Sequence, residues 1–149
     1  MSLKIALAGD HRGVEMKSRL IRFLEAKGYE AVDCGPNSLE SCDYPDYMFP
    51  AAEKVAQGDC FRAIGICHSG IGSSIAANKV KGVRAALCKS LEEAKLSRAH
   101  NDANMLILGA GFLDEKILET LVETWLNTPF EGGRHENRVN KIKAYEGSH

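Results

Sequence analysis

The chain has 149 residues and a mass of 16.3 kDa, enough for one domain that buries a hydrophobic core of its own. Its 19 basic and 20 acidic side chains give a formal net charge of -1, so we expect no general attraction to nucleic acid or to an anionic membrane surface. No apolar run approaches the roughly 20 residues needed to span a bilayer, and no signal-peptide pattern opens the sequence. The five cysteines contain no C-x-x-C pair, which argues against a disulfide framework or a zinc site and predicts a reducing, cytoplasmic compartment.

Short apolar runs alternate with stretches of helical periodicity along the whole chain. The first part predicts strands at 4–8, 29–34 and 63–66, with helices around 16–24, after Pro45 and from about 71 to 79. The second part predicts strands at 83–88 and 105–108, with helices from Ser90 to about 100, around 117–125 and at about 134–145. Pro50 is expected near the first turn of the second helix, where proline is tolerated. Five β–α alternations without a linker or repeat predict an α/β fold, one domain over 1–149 with a five-stranded parallel sheet covered by helices on both faces.

The most informative stretch is the strand–turn–helix that begins at residue 63. The strand ends in Cys67 and Ser69, and Gly70 and Gly72 then allow a tight turn into the next helix. Ligands of open α/β sheets bind at this edge, and a helix N-terminus there favours an anionic ligand, an oxyanion or a thiolate. Cys67 is therefore a candidate nucleophile or general base, with a small buried hydrophobic residue as the alternative interpretation. The other cysteines, Cys34, Cys42, Cys60 and Cys88, are interpreted as structural only.

Other polar residues follow further elements that we expect to end on the ligand side of the sheet. Asp10 and His11 come directly after the first strand, and His100 and Asn101 come after the fourth helix. Asp10 could instead cap the following helix, and each histidine could have a purely structural role. These four side chains are therefore candidates to complete a site around the cysteine.

Arg134 and Arg138 are four residues apart, so they share one face of the last predicted helix. Two guanidinium groups placed in this way can hold a phosphate through charge-assisted hydrogen bonds, although a solvated helix face is the alternative. The glycine turn lacks the third glycine of a dinucleotide fingerprint, because Ile75 stands there, and it lacks the Gly-Lys-Ser/Thr of a P-loop. No pair of histidines, or of histidine and carboxylate, has the spacing of a metal site on a helix.

Taken together, the motifs resemble a known family over essentially the whole chain. In order they are Asp10-His11, Asp43-Tyr44-Pro45, Cys67-x-Ser69-Gly70-Ile71-Gly72, Ile75-Ala76-Ala77-Asn78-Lys79, Leu96-Ser97-Arg98-x-His100-Asn101-Asp102 and Glu131-Gly132-Gly133-Arg134-His135-x-x-Arg138-Val139. The chain resembles the type B ribose-5-phosphate isomerases, a family that also holds the galactose-6-phosphate isomerase subunits. This resemblance implies a Rossmann-like sheet in the order 2-1-3-5-4 and a homodimer or dimer of dimers. It also implies active sites between subunits, with the His-Asn pair donated by the neighbouring chain and the C-terminal helix packed on or across the partner.

The resemblance further implies a role for each matching residue. The catalytic residues implied are Cys67, His100, Ser69 and Asp10; the residues implied to bind the sugar phosphate are His11, Gly70, Ile71, Gly72, Ser73, Asn101, Arg134 and Arg138. His68 does not match the family pattern, and contact with the substrate phosphate is a separate hypothesis for this residue. Cys67 would move a proton between C2 and C1 of the open-chain sugar through an enediolate, and His100 would open the sugar ring. Ser69 and the amides of the glycine turn would stabilise the oxyanion. Neither a metal nor an organic cofactor is implied.

Two positions depart from the pattern of this family. His68 stands where the family usually has glycine, and Gly111 stands where its members commonly carry an arginine that reaches the phosphate. The resemblance as a whole implies an aldose–ketose isomerase with ribose 5-phosphate as the default substrate, and the two departures are the reason to consider other substrates. The alternatives are another sugar, such as allose or galactose 6-phosphate or an unphosphorylated aldose, and a non-catalytic module that binds sugar phosphates.

Overall fold

A computed structural model describes residues 2–149, in which strands and helices alternate as the sequence predicts. The strands are β1 (Lys4–Gly9), β2 (Glu30–Asp33), β3 (Arg62–Cys67), β4 (Ala85–Leu87) and β5 (Met105–Gly109). The helices are α1 (Val14–Ala26), α2 (Pro45–Ala56), α3 (Ile71–Asn78), α4 (Leu91–Ala99), α5 (Leu118–Asn127) and α6 (Arg134–Ser148), with a 3₁₀ turn at Glu115–Ile117. Within residues 2–149, no helix combines the length and the apolar character needed to cross a membrane.

The five strands form one parallel sheet in the order β2-β1-β3-β5-β4, which confirms the predicted architecture and strand order. The register places Gly9 of β1 beside Ile66 of β3, and Cys67 of β3 beside Gly109 of β5. The loops that follow β1, β3 and β5 therefore meet at one edge of the sheet, which we call the carboxyl edge. The opposite edge, where these strands begin, is called the amino edge.

Side-chain size differs between the two faces of the sheet because successive strand residues point to opposite sides. Ile5 and Leu7 of β1 face a layer of large side chains that includes Trp125 of α5. Ala6 and Ala8 of the same strand face α2 and α3, whose buried positions are largely alanine. The helices of this second layer can therefore approach the sheet through small side chains. In β3, Cys67 shares its face with Ala63 and Gly65, on the side of α2 and α3.

Ser90 begins a helix as the sequence predicts, whereas the start of α5 and the position of Pro50 in α2 differ from the prediction. Ser90 caps α4, since its hydroxyl accepts a hydrogen bond from the Glu93 amide at 3.1 Å. The helix predicted around 117–125 begins later, because Asp114 first caps the separate 3₁₀ turn. Pro50 lies at the sixth position of α2 rather than in its first turn, so that expectation is wrong. The missing N–H leaves the Asp46 carbonyl without its helical donor, and both residues are exposed, so water can replace that donor.

Candidate active site

Cys67 is the last residue of β3, and its side chain is only 5% exposed. The Gly70 amide donates a hydrogen bond to the sulfur at 3.2 Å, and the Ser73 hydroxyl donates a second one at 3.0 Å. Hydrogen bonds of this kind stabilise negative charge on the group that accepts them. The loop after β3 and the first turn of α3 therefore form a small cradle for an anionic sulfur.

Three of the other four cysteines lie in different surroundings. Burial raises the pKa of the Cys34 and Cys60 thiols above the ordinary value, and it raises the pKa of Cys88 to about 11. The Cys34 and Cys88 thiols donate to backbone carbonyls at the long distance of 3.8 Å. Since a raised pKa keeps a thiol protonated, these side chains fit the structural interpretation made from the sequence.

The turn between β3 and α3 depends on the absence of side chains at two positions. Gly70 has a φ of +82°, a conformation that favours glycine, and it immediately precedes α3. A Cβ atom on Gly109, at the end of β5, would lie 2.7 Å from the carbonyl carbon of Ser69. The Ser69 hydroxyl accepts a hydrogen bond from the Ile71 amide at 3.2 Å, so it supports the first turn of the helix. The loop is thus held against the end of β5.

Asp10 and His11 lie on the loop after β1, beside the cysteine loop at the carboxyl edge, because the Asp10 amide donates to the Ile66 carbonyl at 3.1 Å. One oxygen of the Asp10 carboxylate accepts hydrogen bonds from the amides of Arg12 and Gly13 at 2.9 and 3.1 Å. This oxygen stabilises the turn that leads into α1, as the capping alternative suggests. The second carboxylate oxygen makes no hydrogen bond within the described part of the chain. Asp10 also lines an open cavity of about 510 Å³ with residues Cys42 to Asp46.

His11 is oriented by the segment that precedes α2. The Cys42 amide donates to Nδ1 of His11 at 3.4 Å, and the Cys42 sulfur lies 3.9 Å from the same atom. An Nδ1 atom that accepts a hydrogen bond leaves the proton of the neutral ring on Nε2. Nε2 is therefore free to donate to a ligand, and Cys42 is a positioning residue that the sequence did not reveal.

His100 does not lie at the carboxyl edge, so the expectation that it ends on the ligand side with Cys67 is wrong for a single chain. Asn104, just before β5, accepts a hydrogen bond from the Ala63 amide at 3.3 Å, which places this segment at the amino edge beside the start of β3. The strand from Ala63 to Cys67 rises about 13 Å. His100 follows the C-terminus of α4, and a helix that connects parallel strands runs back toward the edge where the next strand begins. The imidazole and the thiol therefore occupy opposite edges of the sheet.

At the amino edge, His100 stacks on His135 of α6. The ring centroids are 4.1 Å apart and the ring planes differ by 10°. Oε1 of Glu131 lies 3.8 Å from Nε2 of His100 and 3.6 Å from Nε2 of His135. Burial lowers the pKa of His135, and the neighbouring charges of His100, Arg134 and Arg138 lower this pKa further, while Glu131 opposes them. These effects favour the neutral form of His135 beside His100.

The His100–Glu131–His135 cluster has the composition of a metal site, since its three ligand atoms lie within 4.8 Å of one another. The imidazole lone pairs lie in the ring planes, however, and these planes are nearly parallel. The two lone pairs therefore do not converge on one point, as a metal ion requires. The arrangement orients His100 rather than forming a metal centre. Spacing along the chain could not reveal it, because its members come from different elements.

The turn that carries His100 and Asn101 is fixed by an ionic network. Asp102, which has a φ of +49°, accepts hydrogen bonds from Arg98 at 2.8 Å and from Arg84 at 3.3 Å. Arg98 is buried and also donates to the Ala103 carbonyl at 2.7 Å. Charge-assisted contacts from two arginines hold the turn in one conformation. This turn therefore holds His100 and Asn101 in a fixed position.

The predicted residues consequently form two groups. The cysteine half-site, at the carboxyl edge, comprises Asp10, His11, Cys67, His68, Ser69, Gly70, Ile71, Gly72 and Ser73. The histidine half-site, at the amino edge, comprises His100, Asn101, Arg134 and Arg138. The Ala99 carbonyl accepts a hydrogen bond from the Glu131 amide at 3.0 Å, which joins the end of α4 to the segment before α6. One chain does not bring the two groups together.

Replacing Ser73 by alanine is expected to lower kcat for a reaction that depends on the Cys67 sulfur by about 10- to 100-fold, because a hydrogen bond to a charged group contributes roughly 1.5–3 kcal/mol. The Ser73 side chain is fully buried and donates to the sulfur, so it is not placed to contact the substrate as the resemblance implies, and KM should change little. Steady-state kinetics of Ser73→Ala measures both constants. Ser97→Ala is the matched control, since it removes a buried hydroxyl that donates to the Ala94 carbonyl instead. An equal loss in both variants would contradict the assignment.

Comparison with known proteins identifies the relatives of this arrangement. The sequence profile described as "Ribose/Galactose Isomerase" matches residues 5–142. Ribose-5-phosphate isomerase B of Escherichia coli is 42% identical over 143 residues, covering 96% of this chain and 96% of that protein. The match confirms the resemblance drawn from the motifs and, with it, the prediction of an isomerase.

Solved structures agree with the sequence comparison. Ribose-5-phosphate isomerase B of Clostridium thermocellum superimposes with a TM-score of 0.95 at 46% identity, covering 98% of this chain and 99% of that chain. The enzyme of Mycoplasma genitalium, solved with bound ribulose 5-phosphate, superimposes with a TM-score of 0.96 at 42% identity, covering 100% of this chain and 99% of that chain. With a profile match over nearly its whole length and relatives of this similarity, the chain belongs to the ribose/galactose isomerase family.

Proposed function

We propose that the chain is an aldose–ketose isomerase that interconverts ribose 5-phosphate and ribulose 5-phosphate, with Cys67 as the base. The observation that carries this proposal is the Cys67 sulfur at the carboxyl edge, which accepts hydrogen bonds from both the Gly70 amide and the Ser73 hydroxyl. A base for proton transfer between adjacent carbons has to be anionic for part of the cycle, and these two donors favour that state. The matching family supplies the reaction type.

In the proposed reaction, the Cys67 thiolate removes the proton from C2 of the open-chain aldose. The electrons of the C–H bond form the C1–C2 double bond, and those of the carbonyl move onto O1 to give an enediolate. Ser69 and the amides at the start of α3 stabilise the charge on oxygen. The thiol then returns the proton to C1, while the C2 hydroxyl loses its proton and O1 gains one, so that the carbonyl re-forms at C2 and C1 carries a hydroxyl. Asp10, through its second oxygen, would accept the proton from the C2 hydroxyl and deliver it to O1, a transfer that needs neither a metal nor an organic cofactor.

We further propose that two chains share each active site. The histidine half-site faces away from Cys67 of its own chain, so a partner has to supply His100 for ring opening and Asn101 for contact with the sugar. Exposed apolar side chains support such an assembly: Ile71 and Ile75 of α3 are each 59% exposed, and Ile142 and Tyr145 of α6 are 50% and 67% exposed. Only His135 and Val139 of the fifteen residues of α6 are buried, so this helix gains most from packing on or across a second subunit. The assembly would be a homodimer or a dimer of dimers.

The phosphate would be held from both chains. His11 would donate from Nε2, and the partner would contribute Arg134 and Arg138, which share one face of α6. The five cysteines are all unpaired, which supports the cytoplasm as the compartment. The whole chain would act as one domain.

Two other functions are compatible with the same fold. His68 and Gly111 differ from the usual family residues, which favours testing other substrates, such as allose or galactose 6-phosphate and unphosphorylated aldoses. A non-catalytic sugar-phosphate-binding module would need neither a base nor a proton path. The donors directed at the Cys67 sulfur favour the enzyme over this module.

A substrate panel tests the proposal directly. The purified protein is incubated with ribose 5-phosphate, the two hexose 6-phosphates and free ribose, and ketose formation and exchange of the C2 hydrogen with solvent deuterium are followed by NMR. We expect fastest turnover of ribose 5-phosphate, unchanged after treatment with a metal chelator. Faster turnover of another sugar would make that sugar the proposed substrate in place of ribose 5-phosphate. Binding of a sugar phosphate without any hydrogen exchange would favour the non-catalytic module.

A further inference from the structure

His68 follows Cys67 but projects to the other face of the sheet. Cys67 faces α3, so the alternation of side chains directs His68 toward α1 and the 3₁₀ turn. There it lines an open cavity of about 410 Å³, together with Arg12, Glu15, Met16, Ala110, Gly111 and Glu115. Its ring also lies against Phe112, with centroids 5.5 Å apart and an angle of 58° between the planes. The imidazole therefore belongs to the cysteine half-site but lies outside the cradle around the sulfur.

The position of this ring depends on Gly111. A Cβ atom on Gly111 would lie 2.5 Å from Nδ1 of His68, well inside van der Waals contact, and at least as close to Cε1. Gly111 does not have a positive φ, so its backbone conformation is open to other residues. Glycine at position 111 is therefore explained by the space that the His68 ring occupies and not by the backbone conformation. Any side chain there would displace the imidazole.

The chemistry of the cavity restricts what His68 can do. Arg12 and His68 supply its donors, and neither side chain makes a hydrogen bond or an ion pair within residues 2–149. The carboxylates of Glu15 and Glu115 also line the cavity and repel an anion. An anionic group would therefore be held here only if both donors contribute. Because Cys67 has to contact C1 and C2 of the sugar, the group that reaches His68 belongs to the opposite end of the substrate.

We propose that His68 is a specificity-determining residue that contacts the phosphate-bearing end of the substrate. Gly111 is part of the same recognition element, because the absence of a side chain there leaves room for the His68 ring. This inference rests on the proposed isomerase function and deepens it. It makes two claims that can be separated. One is that the imidazole recognises the phosphate, and the other is that residues 68 and 111 act as one unit.

The first claim is tested with His68→Ala. We expect KM for ribose 5-phosphate to rise by about 10- to 100-fold, the range for losing a hydrogen bond to a charged group, with kcat within about threefold of wild type. The kcat/KM for free ribose, which has no phosphate, should stay within about twofold. Equal losses on the phosphorylated and the free sugar would overturn the claim, as would a fall in kcat alone.

The second claim is tested with Gly111→Ala. Although no atom of His68 changes, this variant should reproduce the KM effect of His68→Ala, and the double variant His68→Ala/Gly111→Ala should be no worse than either single variant. Gly147→Ala is the matched control, since a Cβ atom there has no neighbour within 4 Å. A guanidinium introduced by Gly111→Arg should restore a low KM in the His68→Gly background but not beside His68. Additive losses, or a Gly111→Ala variant with wild-type KM, would refute the coupling.

The outcome also separates this inference from the proposed function. Turnover of ribose 5-phosphate by wild type, measured first, tests the isomerase assignment without reference to His68. If the wild type turns over no sugar, the isomerase assignment fails, and the same variants are compared by calorimetric titration with ribose 5-phosphate. The same ratio of affinities is then expected, and unchanged affinity in His68→Ala would overturn the inference.

Discussion

Replacing Cys67 by alanine is expected to slow exchange of the C2 hydrogen of ribose 5-phosphate with solvent deuterium by about 10²- to 10⁴-fold, the contribution of a well-placed general base. Binding of the sugar phosphate should remain measurable, because the proposed phosphate contacts come from other residues. The sulfur accepts hydrogen bonds from two donors, and removing it leaves both the Gly70 amide and the Ser73 hydroxyl without this partner. NMR in deuterium oxide measures the exchange, and calorimetric titration measures the binding.

Cys60→Ala is the matched control for this experiment. Cys60 is 4% exposed, close to the 5% of Cys67, and burial raises the pKa of the Cys60 thiol. It lies just before β3, at the amino edge of the sheet. Its replacement should leave exchange within about twofold of wild type. Exchange at the wild-type rate in Cys67→Ala would remove this residue from its role, and a loss shared with Cys60→Ala would point to damage of the fold.

Local patterns were sufficient to predict the sheet and the cysteine loop. The strands of this parallel sheet read as short apolar runs, and the glycine turn after Cys67 lies next to it in sequence, so no long-range information was needed. The order of the strands, in contrast, came from the resemblance to the family. Periodicity alone does not say which strand becomes the neighbour of β3.

The histidine half-site shows why the rest of the candidate site could not be predicted from local sequence patterns. His100 follows a helix, and a helix between parallel strands ends at the edge of the sheet opposite to the one where Cys67 lies. Its stacking on His135 joins two positions 35 residues apart, and Glu131 enters from a loop between α5 and α6. Such contacts follow from the packing of elements. No spacing rule within one element contains them.

The contact between Tyr44 and the glycine turn at Gly72 is a second feature that depends on the packing of distant elements. A Cβ atom on Gly72 would lie 2.5 Å from Cζ of Tyr44, which precedes α2. The motif Asp43-Tyr44-Pro45 is part of the family pattern, but the sequence does not show its contact with the cysteine loop. The structure explains the pairing, since Tyr44 closes over a turn that has no side chain of its own at Gly72.

The second large effect is expected when two inactive variants are combined. If each active site takes Cys67 from one chain and His100 from its partner, a dimer of one Cys67→Ala chain and one His100→Ala chain contains one intact site and one doubly altered site. Random reassortment makes about half of all dimers mixed, so activity should recover to about one quarter of wild type. Each parent alone should retain about 1% or less. The variants are mixed under mild dissociating conditions, returned to buffer and assayed with ribose 5-phosphate.

The control for this experiment mixes Cys67→Ala with the double variant Cys67→Ala/His100→Ala, in which no chain carries the thiol, so no recovery is expected. Native mass spectrometry of chains with distinct masses verifies that subunits have exchanged. If exchange occurs and activity stays at the sum of the parents, the sites are not shared in the proposed way. Recovery is the expected result because a single chain holds its thiol and its imidazole at opposite edges of the sheet, and only a second chain can bring an imidazole to the sulfur.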